Sequence, residues 1–121
     1  MNNKKEKEVI NNKEFEVIKE CTKDSVIGEY IIVRHAMVNS IIGKEIIIQE
    51  AMVSTIKGEK IEISHATANE IDGKIVNVSN ALVKNVKAEV VNAHHAFIYK
   101  VTAKTINSKD SQIFIKSRYE G

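Results

Sequence analysis

From Val26 to Ile115 the chain repeats every 15 residues without insertion or deletion, in six units that begin at Val26, Ile41, Ile56, Ile71, Val86 and Val101. Each unit carries one five-residue beat three times, apolar at its first and third residues and mostly polar at the others. With each unit numbered 1 to 15, positions 1, 3, 6, 8, 11 and 13 hold Val, Ile, Ala or Gly at 34 of 36 sites, and only Ser108 and Ser111 depart. Two apolar residues one apart, followed by a corner, is the alternation of a strand. A helical repeat would instead need apolar residues near positions 1, 4 or 5, 8 and 12, with Leu and Ala preferred over branched side chains. The chain has 19 Ile and 13 Val against one Leu, Leu82, which is a strand composition.

A fixed period is the mark of stacked repeats. Three sides of five residues close most economically as an all-β fold, a single-chain triangular parallel β-helix (β-solenoid) with 15 residues per coil and about six to seven coils. Stacked at ~4.8 Å, six coils make a rod roughly 30 Å long. Position 1 forms an aliphatic ladder from Val26 to Val101, and position 6 forms another from Ile31 to Ile106. Position 11 is Ala36, Ala51, Ala66, Ala81, Ala96 and then Ser111; position 3 is Gly28, Gly43, Gly58 and Gly73, then Ala88 and Ala103. The Gly column either marks a corner needing positive φ or a place with no room for a side chain, and its change to Ala favours the space limit.

Residues 1–10 read as a mobile N-terminal tail, 11–25 as a degenerate coil or capping segment, 26–115 as the solenoid and 116–121 as a C-terminal cap or tail. Over 11–25 the register fades, with Lys13, Glu16 and Lys23 in core columns, while Ile18 and Cys21 still fit. A short amphipathic helix carrying Ile10, Val17, Ile18 and Cys21 on one face is the rival for this segment. Cys21, the single cysteine, falls in the Ala column and is expected to be a small buried residue, with no disulfide possible within the chain. Ser108, Ser111, Lys116, Arg118 and Glu120 give the far end a polar character that discourages uncontrolled stacking.

Eighteen basic and 16 acidic residues, net +2, argue against a nucleic-acid partner. No apolar leader follows Met1, so a cytoplasmic location without membrane insertion is the expectation.

In stacked coils each outward column is a line of neighbours. Position 4 reads Glu29, Lys44, Glu59, Lys74, Glu89, Lys104, alternating in sign throughout. Position 10 reads Glu20, His35, Glu50, His65, Asn80, His95, Asp110. Histidines beside carboxylates are metal-ligand and proton-transfer chemistry, but ligands along a line ~4.8 Å apart do not converge tetrahedrally. The column reads as a solvated, charge-complementary ladder, with no catalytic residue, metal or cofactor assigned; His94 and His95 are expected to point apart. Position 7 adds Asn77, Asn92 and Asn107, suited to stacked amide hydrogen bonds.

The first two coils break the polar exterior on all three sides, with Ile27 and Ile42, Ile32 and Ile47, and Met37 and Met52 facing outward. A second apolar patch comprises Ile75, Leu82, Val90, Phe97, Tyr99 and Phe114. An apolar belt in water implies a cover. The N-terminal segment can cover part of it; the rest is expected to meet a second copy or a protein partner.

The five-residue beat, with Ala81 two places before Val83 and Ala96 before Ile98, resembles the pentapeptide-repeat proteins, which typically use four beats per coil and a central Leu or Phe. Blocks such as Ile71–Val78, Ile-x-Gly-x-x-Val-x-Val, resemble bactofilins, cytoskeletal proteins built as a triangular β-helix that polymerise end to end. That resemblance implies a non-catalytic structural protein that self-associates or polymerises. A protein-binding adaptor is the alternative. A β-helix acyltransferase with an interfacial His is disfavoured by the absence of an 18-residue coil, and an ice binder by outward Thr residues (Thr55, Thr67, Thr102, Thr105) that form no column.

Overall fold

The computed structural model describes residues 6–118 apart from Asn11. It is all strand and turn. An N-terminal hairpin strand, β1 (Glu6–Ile10), precedes seven coils of two strands each. The coils are β2 (Lys13–Lys19) with β3 (Thr22–Ile27), β4 (Tyr30–Arg34) with β5 (Met37–Ile42), β6 (Glu45–Gln49) with β7 (Met52–Lys57), and β8 (Lys60–Ser64) with β9 (Thr67–Asp72). Then follow β10 (Ile75–Ser79) with β11 (Leu82–Lys87), β12 (Val90–His94) with β13 (Phe97–Ala103), and β14 (Thr105–Lys109) with β15 (Gln112–Arg118).

Even-numbered strands stack as one parallel sheet and odd-numbered strands from β3 onward as another. Every rung is offset by 15 residues, as in Ile31 over Ile46 and Val86 over Val101. The three expected sides are therefore shared by two sheets. The third side of one unit and the first side of the next form one strand creased at position 14, where the ladder passes from Val38–Val53 straight to Ser40–Thr55. The apolar columns fill the interior: Ile31, Ile41, Ile46, Ile56, Ile61, Val76, Val91, Ile98 and Val101 are all fully buried or nearly so, and no polar side chain is buried among the described residues.

The glycine column is a space limit. None of the four has positive φ. A Cβ on Gly43, Gly58 or Gly73 would lie 2.9, 2.7 or 3.0 Å from the carbonyl oxygen of the glycine one coil earlier, whereas one on Gly28 meets nothing closer than 3.5 Å. The left-handed corner lies in a different column. Glu20, His35, Glu50, His65, Asn80, His95 and Asp110, all at position 10, have φ between 47° and 51°. His, Asn and Asp tolerate this conformation better than most residues, which gives the composition of that column a backbone cause.

The N-terminus differs from expectation. Residues 6–10, expected to belong to a mobile tail, form β1 and pair antiparallel with β2, through a turn in which Asn12 has φ 63°. Residues 1–5 and 119–121 lie outside the described residues. Segment 11–25 supplies a coil and no helix: β2 and β3 stack in the 15-residue register on β4 and β5. The hairpin gives the apolar residues outside the barrel a cover on one side. Phe15, Val17 and Ile32 are buried there, with Ile10, Tyr30 and Ile47 packed against them. Phe15 meets Tyr30 at 5.4 Å between ring centroids. Lys13 reaches over the Tyr30 ring to hydrogen-bond Glu45, and this bond is the main cause holding its ammonium above the ordinary lysine value.

At the other end β14 and β15 are edge strands. Ser111, the exception in the Ala column, accepts a hydrogen bond from the Ala96 amide and donates one to the Lys109 carbonyl, each at 3.0 Å. It thereby ties the corner of the last coil to the corner of the coil before it.

Candidate functional site: the corner groove

The left-handed corner between the two sheets carries a groove that runs along the rod, of about 1390 Å³. Its floor is the position-11 column, Cys21 and Ala36 through Ala96. One wall is position 10, and the other is position 12: Thr22, Met37, Met52, Thr67, Leu82, Phe97 and Gln112. Backbone hydrogen bonds continue through this corner, with the Met37 amide donating to the Cys21 carbonyl at 3.0 Å and the His35 amide to the Gln49 carbonyl at 3.3 Å. The floor therefore presents small side chains, and recognition falls to the walls.

The polar wall alternates donors and acceptors. His35 Nε2 lies 3.0 Å from a Glu50 carboxylate oxygen and His95 Nε2 lies 3.9 Å from Asp110. His94, from the last position of β12, meets the His95 ring edge-on at 4.4 Å, so this pair converges where divergence was expected. Among the described residues no group of three His, Cys, Asp or Glu side chains could hold a metal ion. The two His–carboxylate pairs are isolated along a line, and in each one imidazole reaches one carboxylate. Cys21 is only partly exposed at the end of the floor.

The expected apolar belt separates into covered and open portions. Ile32 is 0% exposed under the hairpin and so closed to a partner, which corrects the expected interface at that residue, while Ile47 packs against the same cluster and stays half-buried. Met37 and Met52 stand open on the groove wall, and Ile27 and Ile42 stand open at the C-terminal ends of β3 and β5 in the same sheet, Ile27 at 72% exposure. The second patch also divides. Ile75 and Val90 are paired neighbours on the first sheet, while Leu82, Phe97, Tyr99 and Phe114 belong to the second. Phe114 packs its ring edge-to-face with Phe97 at 5.1 Å and Tyr99 at 6.1 Å. No helix is long and apolar enough to cross a membrane.

Comparison of the chain with family models, curated proteins and solved structures gives no match.

Proposed function

We propose that this protein is a non-catalytic scaffold, a short β-solenoid rod that self-associates through its side. The observation that carries this reading is an imbalance between the two sheets. Of eleven large apolar side chains exposed among the described residues, nine stand on strands of the second sheet: Ile27, Met37, Ile42, Met52, Leu82, Phe97, Tyr99, Phe114 and Ile115. The first sheet's outer face is closed near the N-terminus by the hairpin. Further along it carries the amide ladder, in which Asn92 donates to Asn77 at 2.7 Å and Asn107 to Asn92 at 2.8 Å. Apolar surface concentrated on one of the two sheets, which makes up two of the rod's three sides, favours a partner over simple solvation.

A bactofilin-like filament is the second reading, favoured by the open edges of β14 and β15 with Phe114 and Ile115 exposed beside them. At the other end β3 is the open edge of the second sheet, but the first sheet ends in β1, which runs antiparallel to the coils and breaks the parallel register that coil-on-coil stacking would continue. Lateral association therefore takes precedence. Sedimentation equilibrium over a wide concentration range, with negative-stain microscopy of the same sample, tests both. Discrete oligomers support lateral association and long filaments support the end-to-end reading. Isolated rods at every concentration overturn self-association and leave a different protein as the partner.

A further inference from the structure

The corner groove is self-complementary when two copies lie antiparallel, and this deepens the self-association reading on which it rests. Its polar wall has the order acid, His, acid, His, Asn, His, acid from Glu20 to Asp110. Its two close His–carboxylate pairs, His35–Glu50 and His95–Asp110, are equally spaced about a midpoint between the His65 and Asn80 rungs. A two-fold axis through that midpoint, perpendicular to the rod, lays each pair against the other copy's opposite pair.

We propose that this corner is the contact between two copies of the chain, lying antiparallel, with His35 facing the partner's Asp110 and Glu50 facing the partner's His95. An imidazole N–H opposite a carboxylate is a donor–acceptor match in either protonation state of the ring. On the apolar wall the same operation sets Met52 against the partner's Phe97 and Thr67 against the partner's Leu82. The first of these is a thioether against an aromatic ring, a favourable contact. Such an interface is isologous and closes at two copies.

The alternatives are poorer on charge or on shape. A two-fold axis along the rod would lay the position-10 wall over the position-12 wall and set Glu50 on a methionine. An antiparallel pair centred on the His65 rung would set His35 against the partner's His95. Moving the centre one rung from the proposed midpoint toward the N-terminus also matches the polar wall, with Glu20 against the partner's His95, Glu50 against the partner's His65 and His35 against the partner's Asn80. On the apolar wall it sets Met37 against the partner's Leu82 but gives up the Met52–Phe97 contact, each of these meeting a threonine, the partner's Thr67 and the partner's Thr22; Glu50 and His95 do not face each other in it, so the exchange experiment below separates the two registers.

The test is an exchange experiment with Glu50→Lys and His95→Glu. Both positions are exposed, and His95→Glu introduces a residue type that the left-handed column already carries at Glu20 and Glu50. Thermal melts confirm that each variant is folded. Glu50→Lys sets an ammonium in place of the acceptor opposite the partner's His95, and His95→Glu sets two carboxylates together, each twice across the two-fold axis, so the dimer dissociation constant of each variant in sedimentation should rise about tenfold or more. Mixed in equal amounts, the lysine introduced in one variant meets the glutamate introduced in the other, while native His95 meets native Glu50. A heterodimer should then form at concentrations where each variant alone is monomeric. If the variants separately weaken the dimer and mixing does not restore it, the antiparallel register is wrong. If neither changes a wild-type dimer, the contact lies elsewhere and self-association survives. A wild type that is monomeric throughout removes both readings.

Discussion

Ile32 and Ile47 on the first sheet, and Met37 and Met52 on the second, occupy the same two coils and obey the same outward alternation, yet their surroundings are opposite. The first pair lies beneath the N-terminal hairpin, with Ile32 fully buried; the second pair is about half exposed on the groove wall. The column rule fixes the direction in which a side chain points. What lies over it depends on chain outside the repeat, so identical patterning produces a small second core on one side and an open apolar wall on the other.

Lysine substitution breaks this comparison most sharply. Ile32→Lys would bury an unpaired charge under the hairpin and should cost about 3–5 kcal/mol in denaturant unfolding. Ile27→Lys, on the open face, should stay within about 0.5 kcal/mol. Near-equal losses at the two sites would mean that the hairpin is not a stable cover. A smaller contrast separates two glycines of one column. Gly58→Ala must displace the Gly43 carbonyl and should lose about 1–3 kcal/mol, while Gly28→Ala, with ordinary contact distances, should be neutral or gain up to about 0.5 kcal/mol. Equal melting temperatures for these two variants would show that the coils spread more easily than the spacing implies. On the first sheet's polar face, Asn92→Ala removes both bonds of the amide ladder and should lower stability by about 1 kcal/mol, measurable as a shifted urea midpoint. The smallest effect belongs to the left-handed corner. Glu20→Gly relieves an unfavourable φ at the cost of chain entropy, for a net gain of about 0.5 kcal/mol; a loss would mean that the Glu20 side chain contributes more than its backbone costs.

The solenoid was legible because its period is carried by residues whose size and branching repeat in register, so Ile41, Ile56 and Ile71 announce a ladder without knowledge of the fold. The space limit at Gly43 and Gly58 was legible for the same reason, through the substitution of Ala in later coils. The left-handed corner was less so. His, Asn and Asp at position 10 look like chemistry when read as side chains, and the signal that they share is tolerance of positive φ, with Glu as the exception that blurs it. The hairpin was missed because the alternation of Phe15 and Val17 lies on the outward face of β2, out of phase with the core columns that define the repeat. Asn12 was the available turn signal. The second patch splits at the left-handed corner, position 10, which parts Ile75 and Val90 on the first sheet from Leu82 and Phe97 on the second.

The alternating column from Glu29 to Lys104, in which Lys104 lies 3.7 Å from Glu89, gives the rod a parity. Excising one unit, residues 56–70, would set Ile71 on Ile41 and leave the interior continuous, but it would also set Lys74 beside Lys44. Excising two, residues 41–70, sets Lys74 beside Glu29 and keeps the signs in step. The interior counts in single coils and the exterior in pairs, so a chain of this design changes length most readily by even increments.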